Sequence, residues 1–230
     1  MVLVATRNPL NLGAAARAMS NFGFPHLCVV NPYEIAFREA RSAVGAEKIL
    51  SRAREFSSLA DAVADCTLVV GTTAARNRLL QHPLRRLEQG AKLIRNRLVS
   101  GPVALLFGSE KVGLSKADFS LCHWLMRIPT CEANLSMNLG QAVAVCLYEL
   151  VRQGKPRSAS TESPADSGQL ERITVMLLDA LRASGYLTPD ARVAGEEKLR
   201  RMVRRLRLTA QDAEVWQGMV RQILWKLRAG

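Results

Sequence analysis

The sequence predicts an α/β protein built on a parallel sheet, followed by a small all-helical domain. Three observations carry this. Apolar runs of strand length alternate with helix-period stretches over residues 1–152, which is the pattern of βαβ units. A stretch rich in Pro, Ser, Gly and Ala interrupts that pattern at 153–168, as a linker would. Beyond it, over 169–230, only helical periodicity remains.

The elements follow in order. Val2-Leu3-Val4-Ala5 reads as a buried strand, broken at Asn8-Pro9 because proline lacks a donor. Ala15, Met19 and Phe22 recur at helical spacing, so a helix runs from about Asn11 to Phe22, with Gly23 as its stop. His26–Val30 is a second strand. Residues 36–53 look helical, interrupted near Gly45, and a short helix capped by Ser57 or Ser58 follows. Cys66–Val70 is a strand stopped by Gly71. Arg76–Arg97 reads as a loop running into a helix, Val103–Phe107 as a strand, Lys116–Cys122 as a short helix, and Leu125–Ile128 as the last strand. The polar turn 129–138 leads into a helix so apolar that it should be buried. In the tail, Leu170, Ile173, Leu177, Leu178 and Leu181 mark one helix. Residues 195–208 form a second, very basic one. Val215, Met219, Ile223 and Leu227 give the third its apolar face.

Composition narrows the class. The 230 residues suffice for one sizeable core and a small appended unit. No apolar run approaches the ~18 residues of a membrane span, and Met1–Ala5 enters a strand without a signal-peptide pattern. A soluble, cytoplasmic protein is expected. Five cysteines, odd in number and without CxxC spacing, read as reduced thiols, and no metal site is assigned. The net charge of +12 points to a polyanionic partner, nucleic acid first. It is concentrated in Arg76–Arg97 and in Lys198–Arg207.

Motif spacing then excludes two enzyme classes. Gly108 and Gly113 are spaced as in a P-loop, but Leu114 stands where the phosphate-binding lysine belongs. The glycines do not form GxGxxG either, which argues against a nicotinamide dehydrogenase. What remains is a glycine after a buried strand, open to close approach by a ligand, with Glu110 two residues on. Taken alone, this is also what an ordinary turn looks like. Arg17 lies off the apolar stripe of its helix and by periodicity reads as a surface residue. Asn134, Ser136 and Asn138 cluster before an apolar helix, and a single cap does not need them all.

Three blocks in chain order resemble the SpoU/TrmH-type SPOUT RNA ribose 2′-O-methyltransferases. They are Asn11 with Gly13-Ala14-Ala15-Ala16-Arg17-Ala18, Leu106-Phe107-Gly108-Ser109-Glu110 with Gly113-Leu114, and Ile128-Pro129-Thr130 with Ser136-Met137-Asn138-Leu139 and Ala142-Val143. Within that family, Val69-Val70-Gly71-Thr72-Thr73-Ala74-Ala75-Arg76 and the tail carrying Arg200-Arg201-Met202-Val203-Arg204-Arg205 are similar to the TrmJ type of tRNA methyltransferase. One departure is Leu135-Ser136-Met137, where relatives often carry two serines.

The resemblance implies a C-terminal trefoil knot in the sheet domain and S-adenosylmethionine as the methyl donor. Thr72, Thr73, Ala74, Gly108, Ile128, Leu135, Ser136 and Met137 would surround it, largely through backbone groups. It implies a catalytic Arg17, with Asn11 and Glu110 positioning it and the knot loop, and with Ser136 and Asn138 fixing the knot and the ribose. A guanidinium with a pKa above ~12 is a poor base, so Arg17 is expected chiefly to hold a phosphate and stabilise the developing alkoxide. The resemblance further implies a homodimer and a tRNA substrate methylated in the anticodon loop. Arg76, Arg78, Lys198, Arg200, Arg201, Arg204 and Arg205 are the expected RNA contacts. A ribosomal RNA target and a non-catalytic RNA-binding protein of the same fold are the alternatives.

Overall fold

The computed structural model describes residues 1–32, 45–74, 81–152, 163–187 and 192–229. Its strands are β1 (Val2–Val4), β2 (Cys28–Val30), β3 (Arg54–Phe56), β4 (Leu68–Thr72), β5 (Leu84–Arg86), β6 (Val103–Phe107) and β7 (Trp124–Arg127). They form one sheet in the order β3-β2-β1-β6-β4-β7-β5, parallel throughout. The helices are α1 (Pro9–Phe22), α2 (Glu47–Ser51), α3 (Leu59–Ala62), α4 (Leu87–Leu98), α5 (Lys116–Ser120), α6 (Leu139–Val151), α7 (Ser167–Ala183), α8 (Arg192–Arg205) and α9 (Ala210–Ala229).

Alternate strand residues face opposite layers, so both faces of the sheet are apolar. Leu3, Val29, Val70, Leu105 and Met126 pack with α1, α4 and α6. Val2, Val30, Val69, Ala104, Leu106 and Leu125 pack with α3 and α5. Local chemistry sets the helix ends. Asn8 caps α1 by accepting from the Leu10 N–H, Pro9 occupies the first turn, and Gly23 closes the helix at φ 75°. Ser115 and Asp118 form a reciprocal box at α5, and Ser58 caps α3.

Several boundaries differ from the sequence reading. The fourth strand continues through Gly71 to Thr72. Gly71 packs rather than terminates, because a Cβ there would lie 2.8 Å from Cys122 Sγ and 2.9 Å from Leu125 Cδ2. Strands β3 and β5 were not expected. Both are edge strands with charged residues, which hides alternation. Of the helix expected over 36–53, α2 is the described part, and residues 33–44 lie outside the described residues. The apolar α6 is not buried all round, since Val145 and Tyr148 face outward. Its inner side meets α1 closely enough that a Cβ on Gly140 would stand 2.5 Å from the Ala14 Cβ. Cys28, Cys122 and Cys146 are buried, Cys66 is half-buried, Cys131 is exposed, and all five are free. Burial pushes the Cys66 thiol up to about 11 and the Cys146 thiol to about 12.

The last six residues of the expected linker, 163–168, are hydrogen-bonded to both units. Pro164 bridges to Thr209, and the Ala165 N–H donates to the Leu208 carbonyl. Asp166 and Gln169 cap α7 reciprocally. The Ser167 N–H and hydroxyl both donate to the Cys66 carbonyl at 2.9 Å. The remainder, 153–162, lies outside the described residues, as do Arg76 and Arg78.

The basic helix α8 is largely turned inward, and three of the arginines expected to contact RNA are engaged within the protein. Arg204 is buried and pairs with Glu171 of α7 at 3.4 Å. Arg200 pairs with Glu171 and Glu196 at 2.9 Å and donates to Ser120 Oγ of α5 at 3.3 Å. Arg201 pairs with Glu197 and donates to Gln81. Arg200 and Arg201 thereby fasten the tail to the sheet domain, and Arg204 ties α8 to α7 within the tail. Lys198 and Arg205 remain exposed. The third tail helix also faces otherwise than expected. It packs through Ala213, Val220 and the half-buried Trp216, while Val215, Met219, Ile223 and Leu227 point outward.

Glu171→Ala leaves Arg204 buried without its counter-charge and should cost about 3 kcal/mol in urea unfolding. A second prediction concerns His123, whose Nδ1 accepts the Val69 N–H at 3.1 Å. Burial first, then Arg204 and Arg97, push its imidazole down to about 3. In the unfolded chain it titrates near ~6.5, so unfolding below that pH takes up a proton. Stability should therefore fall as the pH drops from about 6.5 toward 3, by about 2 kcal/mol at pH 5 from this group. His123→Asn, which keeps an acceptor for Val69, should flatten that slope.

Candidate active site

A cavity of about 670 Å³ opens at the carboxyl ends of β4, β6 and β7. Crevices of parallel α/β sheets bind ligands at such strand ends, and the volume suits a small molecule. Its walls are three turns. The first follows β4, where the Thr72 hydroxyl donates to the Leu106 carbonyl at 2.8 Å and the Thr73 N–H donates to the Met126 carbonyl at 3.0 Å. The second follows β6. Gly108 lies so close to the returning loop that a Cβ would stand 2.1 Å from the Gly113 carbonyl carbon. Gly113 itself has φ +69°, a conformation that favours glycine. The third is 128–138, braced by the Thr130 hydroxyl donating to the Leu135 carbonyl at 3.3 Å.

A polar relay ties these turns to two helices. Glu110 accepts from the backbone N–H groups of Arg7 and Asn8, each at 3.3 Å, and from Asn11 Nδ2 at 3.1 Å. Asn11 Oδ1 accepts from Asn138 Nδ2 at 2.7 Å. Asn138 Oδ1 in turn accepts from the Gln141 N–H at 3.3 Å, which caps α6. The second turn, the start of α1 and the start of α6 are thereby locked together.

Thr72, Thr73, Ala74, Gly108, Ile128, Leu135, Ser136 and Met137 all line this cavity, and so do Asn11, Glu110 and Asn138. Arg17 does not. It is exposed on α1, with its guanidinium over the backbone of Gly45, where a Cβ would stand 2.3 Å from Nη1. Glu47, which accepts the Gly45 N–H at 3.0 Å, is held below the usual carboxylate range by its backbone hydrogen bonds first and by Arg17 as a lesser cause. Sequence reasoning missed Phe107, Lys111, Met126 and Thr130 as lining residues. A strand's last apolar residue, such as Phe107 or Met126, carries no mark of a ligand, whereas Thr130 stands within a block that was singled out and Lys111 directly follows one. Among the described residues no group of three His, Cys, Asp or Glu side chains gathers as a metal site would require.

The SpoU rRNA Methylase family matches residues 1–148. The tRNA (cytidine/uridine-2′-O-)-methyltransferase TrmJ of Cronobacter sakazakii is 34% identical over 97% of this chain and 94% of its own. The crystal structure of TrmJ from Z. mobilis ZM4 covers 96% of this chain and 97% of its own, at 32% identity and a TM-score of 0.84. The SpoU methyltransferase AviRb from Streptomyces viridochromogenes, solved in complex with AdoMet, shares the fold at 24% identity. Its TM-score is 0.51, over 66% of this chain and 58% of its own.

Gly108→Ala should force the loop to Gly113 aside. We expect S-adenosylmethionine affinity to fall tenfold or more, about 1.4 kcal/mol, in calorimetry, with helical circular dichroism retained.

Proposed function

The chain belongs to the SpoU rRNA methylase family, and on that premise we propose that it transfers a methyl group from S-adenosylmethionine to a ribose 2′-hydroxyl of tRNA, in the anticodon loop. The supporting observation is the single cavity that gathers all eight expected cofactor residues beside the Glu110–Asn11–Asn138 relay. The tRNA assignment rests on relatives named for that activity over nearly the whole chain.

The cavity fits the proposed donor. Gly108 lets the returning loop close against the end of β6, where a Cβ would clash with Gly113, and three turns offer backbone groups around the cavity so formed. The bound donor would supply a sulfonium methyl that is already activated for transfer. The chain's own residues do the rest. The relay fixes the cavity walls, so the reacting groups meet preorganised. Arg17 holds a phosphate of the RNA and steadies the charge developing on the 2′-oxygen. Ser136 and Asn138, at the cavity's edge, orient the ribose.

We further propose that residues 128–138 pass through the loop formed by the preceding turns as a trefoil knot. The exposed apolar face of α1 and α6, with Leu10 79% and Tyr148 55% exposed, supports a homodimer formed there. Arg17 lies on the same helix as Leu10, which brings it to that interface. For RNA, Lys198 and Arg205 are the described cations left exposed on α8, and phosphate contact makes binding salt-dependent.

The test is incubation with labelled S-adenosylmethionine and total tRNA, followed by mapping of 2′-O-methylated positions. A labelled anticodon-loop ribose is expected, and label confined to ribosomal RNA would refute the substrate. Arg17→Ala should reduce turnover at least a hundredfold with S-adenosylmethionine binding unchanged. Equal turnover in that variant would remove Arg17 from the chemistry.

A further inference from the structure

Arg17 is exposed on α1, but its guanidinium rests on the backbone at Gly45. It fills the volume that a side chain at that position would take. A Cβ there would lie 2.3 Å from Nη1, 2.8 Å from Cζ and 3.2 Å from Nε. Gly45 also has φ +76°. Glycine is therefore required twice, by the backbone conformation and by the close approach. A planar, weakly hydrated guanidinium suits such a contact, whereas an ammonium holds its water more strongly.

The turn that carries Gly45 is itself held. Glu47 Oε1 accepts from the Gly45 N–H at 3.0 Å. Ala46, Ile49 and Leu50 are buried in the same apolar core as Ala15, Ala16 and Met19 of α1. The turn and the helix bearing Arg17 are thus anchored on one piece of core. Glu47 and Arg17 are both exposed, where attraction between charges is screened. The carboxylate therefore acts by pinning the turn more than by pulling on the guanidinium.

An arginine side chain has many rotamers open to it. A group that must meet a phosphate and a developing negative charge in one orientation loses rate through that freedom. We propose that Gly45 and Glu47 are positioning residues for Arg17: Gly45 leaves the seat in which the guanidinium lies, and Glu47 holds that seat in place. The inference rests on the charge-carrying role proposed for Arg17. Neither residue lines the cavity or belongs to the relay.

Steady-state methylation of total tRNA by the full-length protein tests this, together with NMR relaxation of protein labelled at its arginine nitrogens. Gly45→Asn tolerates positive φ yet carries a Cβ, so it separates displacement of Arg17 from backbone strain. It should lower kcat about tenfold with the KM for S-adenosylmethionine unchanged. Glu47→Ala should also lower kcat, and Glu47→Gln, which keeps an acceptor for the Gly45 N–H, should restore it. Added to Arg17→Lys, Gly45→Asn should change kcat no further, because the seat then has no guanidinium to hold. The Arg17 Nε–Hε signal, assigned by its loss in Arg17→Lys, should be as rigid as the backbone. In Gly45→Asn it should become as mobile as that of exposed Arg205. Wild-type kcat in Gly45→Asn would overturn the proposal. So would an equal loss on adding Gly45→Asn to the wild type and to Arg17→Lys, since the turn would then act on something else. An Arg17 signal as mobile in the wild type as that of Arg205 would overturn it whether or not RNA is methylated. A rigid Arg17 in a wild-type protein that methylates no RNA would uphold the seat and refute the methyl-transfer reading alone.

Discussion

The hydrogen-bonded relay from Glu110 through Asn11 to Asn138 is the constraint on which the cavity depends. It joins the entry to α1 to two segments 99 and 127 residues further along the chain, the turn after β6 and the entry to α6. Each member does two jobs. Glu110 satisfies two backbone N–H groups ahead of α1 while holding the Asn11 amide. Asn138 caps α6 while holding the same residue from the other side. Partly exposed hydrogen bonds contribute modestly one by one, about 1 kcal/mol. Their value here is geometric, because two amides and a carboxylate with fixed donor and acceptor ends admit one arrangement of the three turns.

The tail shows a different use of charge. By composition α8 is an RNA-facing helix, but Arg204 is buried and Arg200 is half-buried and paired with carboxylates. Glu171 is the deciding residue, since one carboxylate on α7 receives both guanidinium groups. Burial is costly enough that Arg204 is pushed down to about 10 despite that partner. Such a network is a weak source of net stability. It is well suited to fixing the angle at which α7 and α8 meet α5, where Arg200 also reaches Ser120. The surface charge available to RNA is correspondingly smaller than the sequence count suggests.

Much of the sheet was legible because buried parallel strands read as apolar runs, and β1, β4, β6 and β7 are such runs. Strands β3 and β5 were not, since Arg54-Glu55-Phe56 and Leu84-Arg85-Arg86 sit at the edges, where charge is favoured. The cavity was legible through resemblance: no periodicity argument would bring Thr72, Gly108 and Leu135 together. The α9 stripe marks the limit of periodicity most clearly. It located an apolar face correctly, but an amphipathic pattern cannot say whether the chain itself or another molecule covers that face. Small Ala213 beside Val220 filled the inner side instead.

The cavity's composition bears on how a 2′-hydroxyl could be activated there. Among its described lining residues only Glu110 and Lys111 are ionisable. Glu110 is already the acceptor in three hydrogen bonds, so taking a proton would weaken the relay that shapes the site. Lys111 is exposed, and an ammonium group donates hydrogen bonds without accepting any. No histidine lines the cavity, and burial holds His123, which precedes β7 and bonds Val69 near the start of β4, in its neutral form. A general base poised near neutrality is therefore absent from the described walls. An activated methyl donor lowers the demand on the nucleophile, and alignment becomes the larger contribution. That is the kind of catalysis a site of glycine turns, backbone groups and locked amides can deliver, and it matches the role proposed for Arg17 of α1, to carry charge rather than protons.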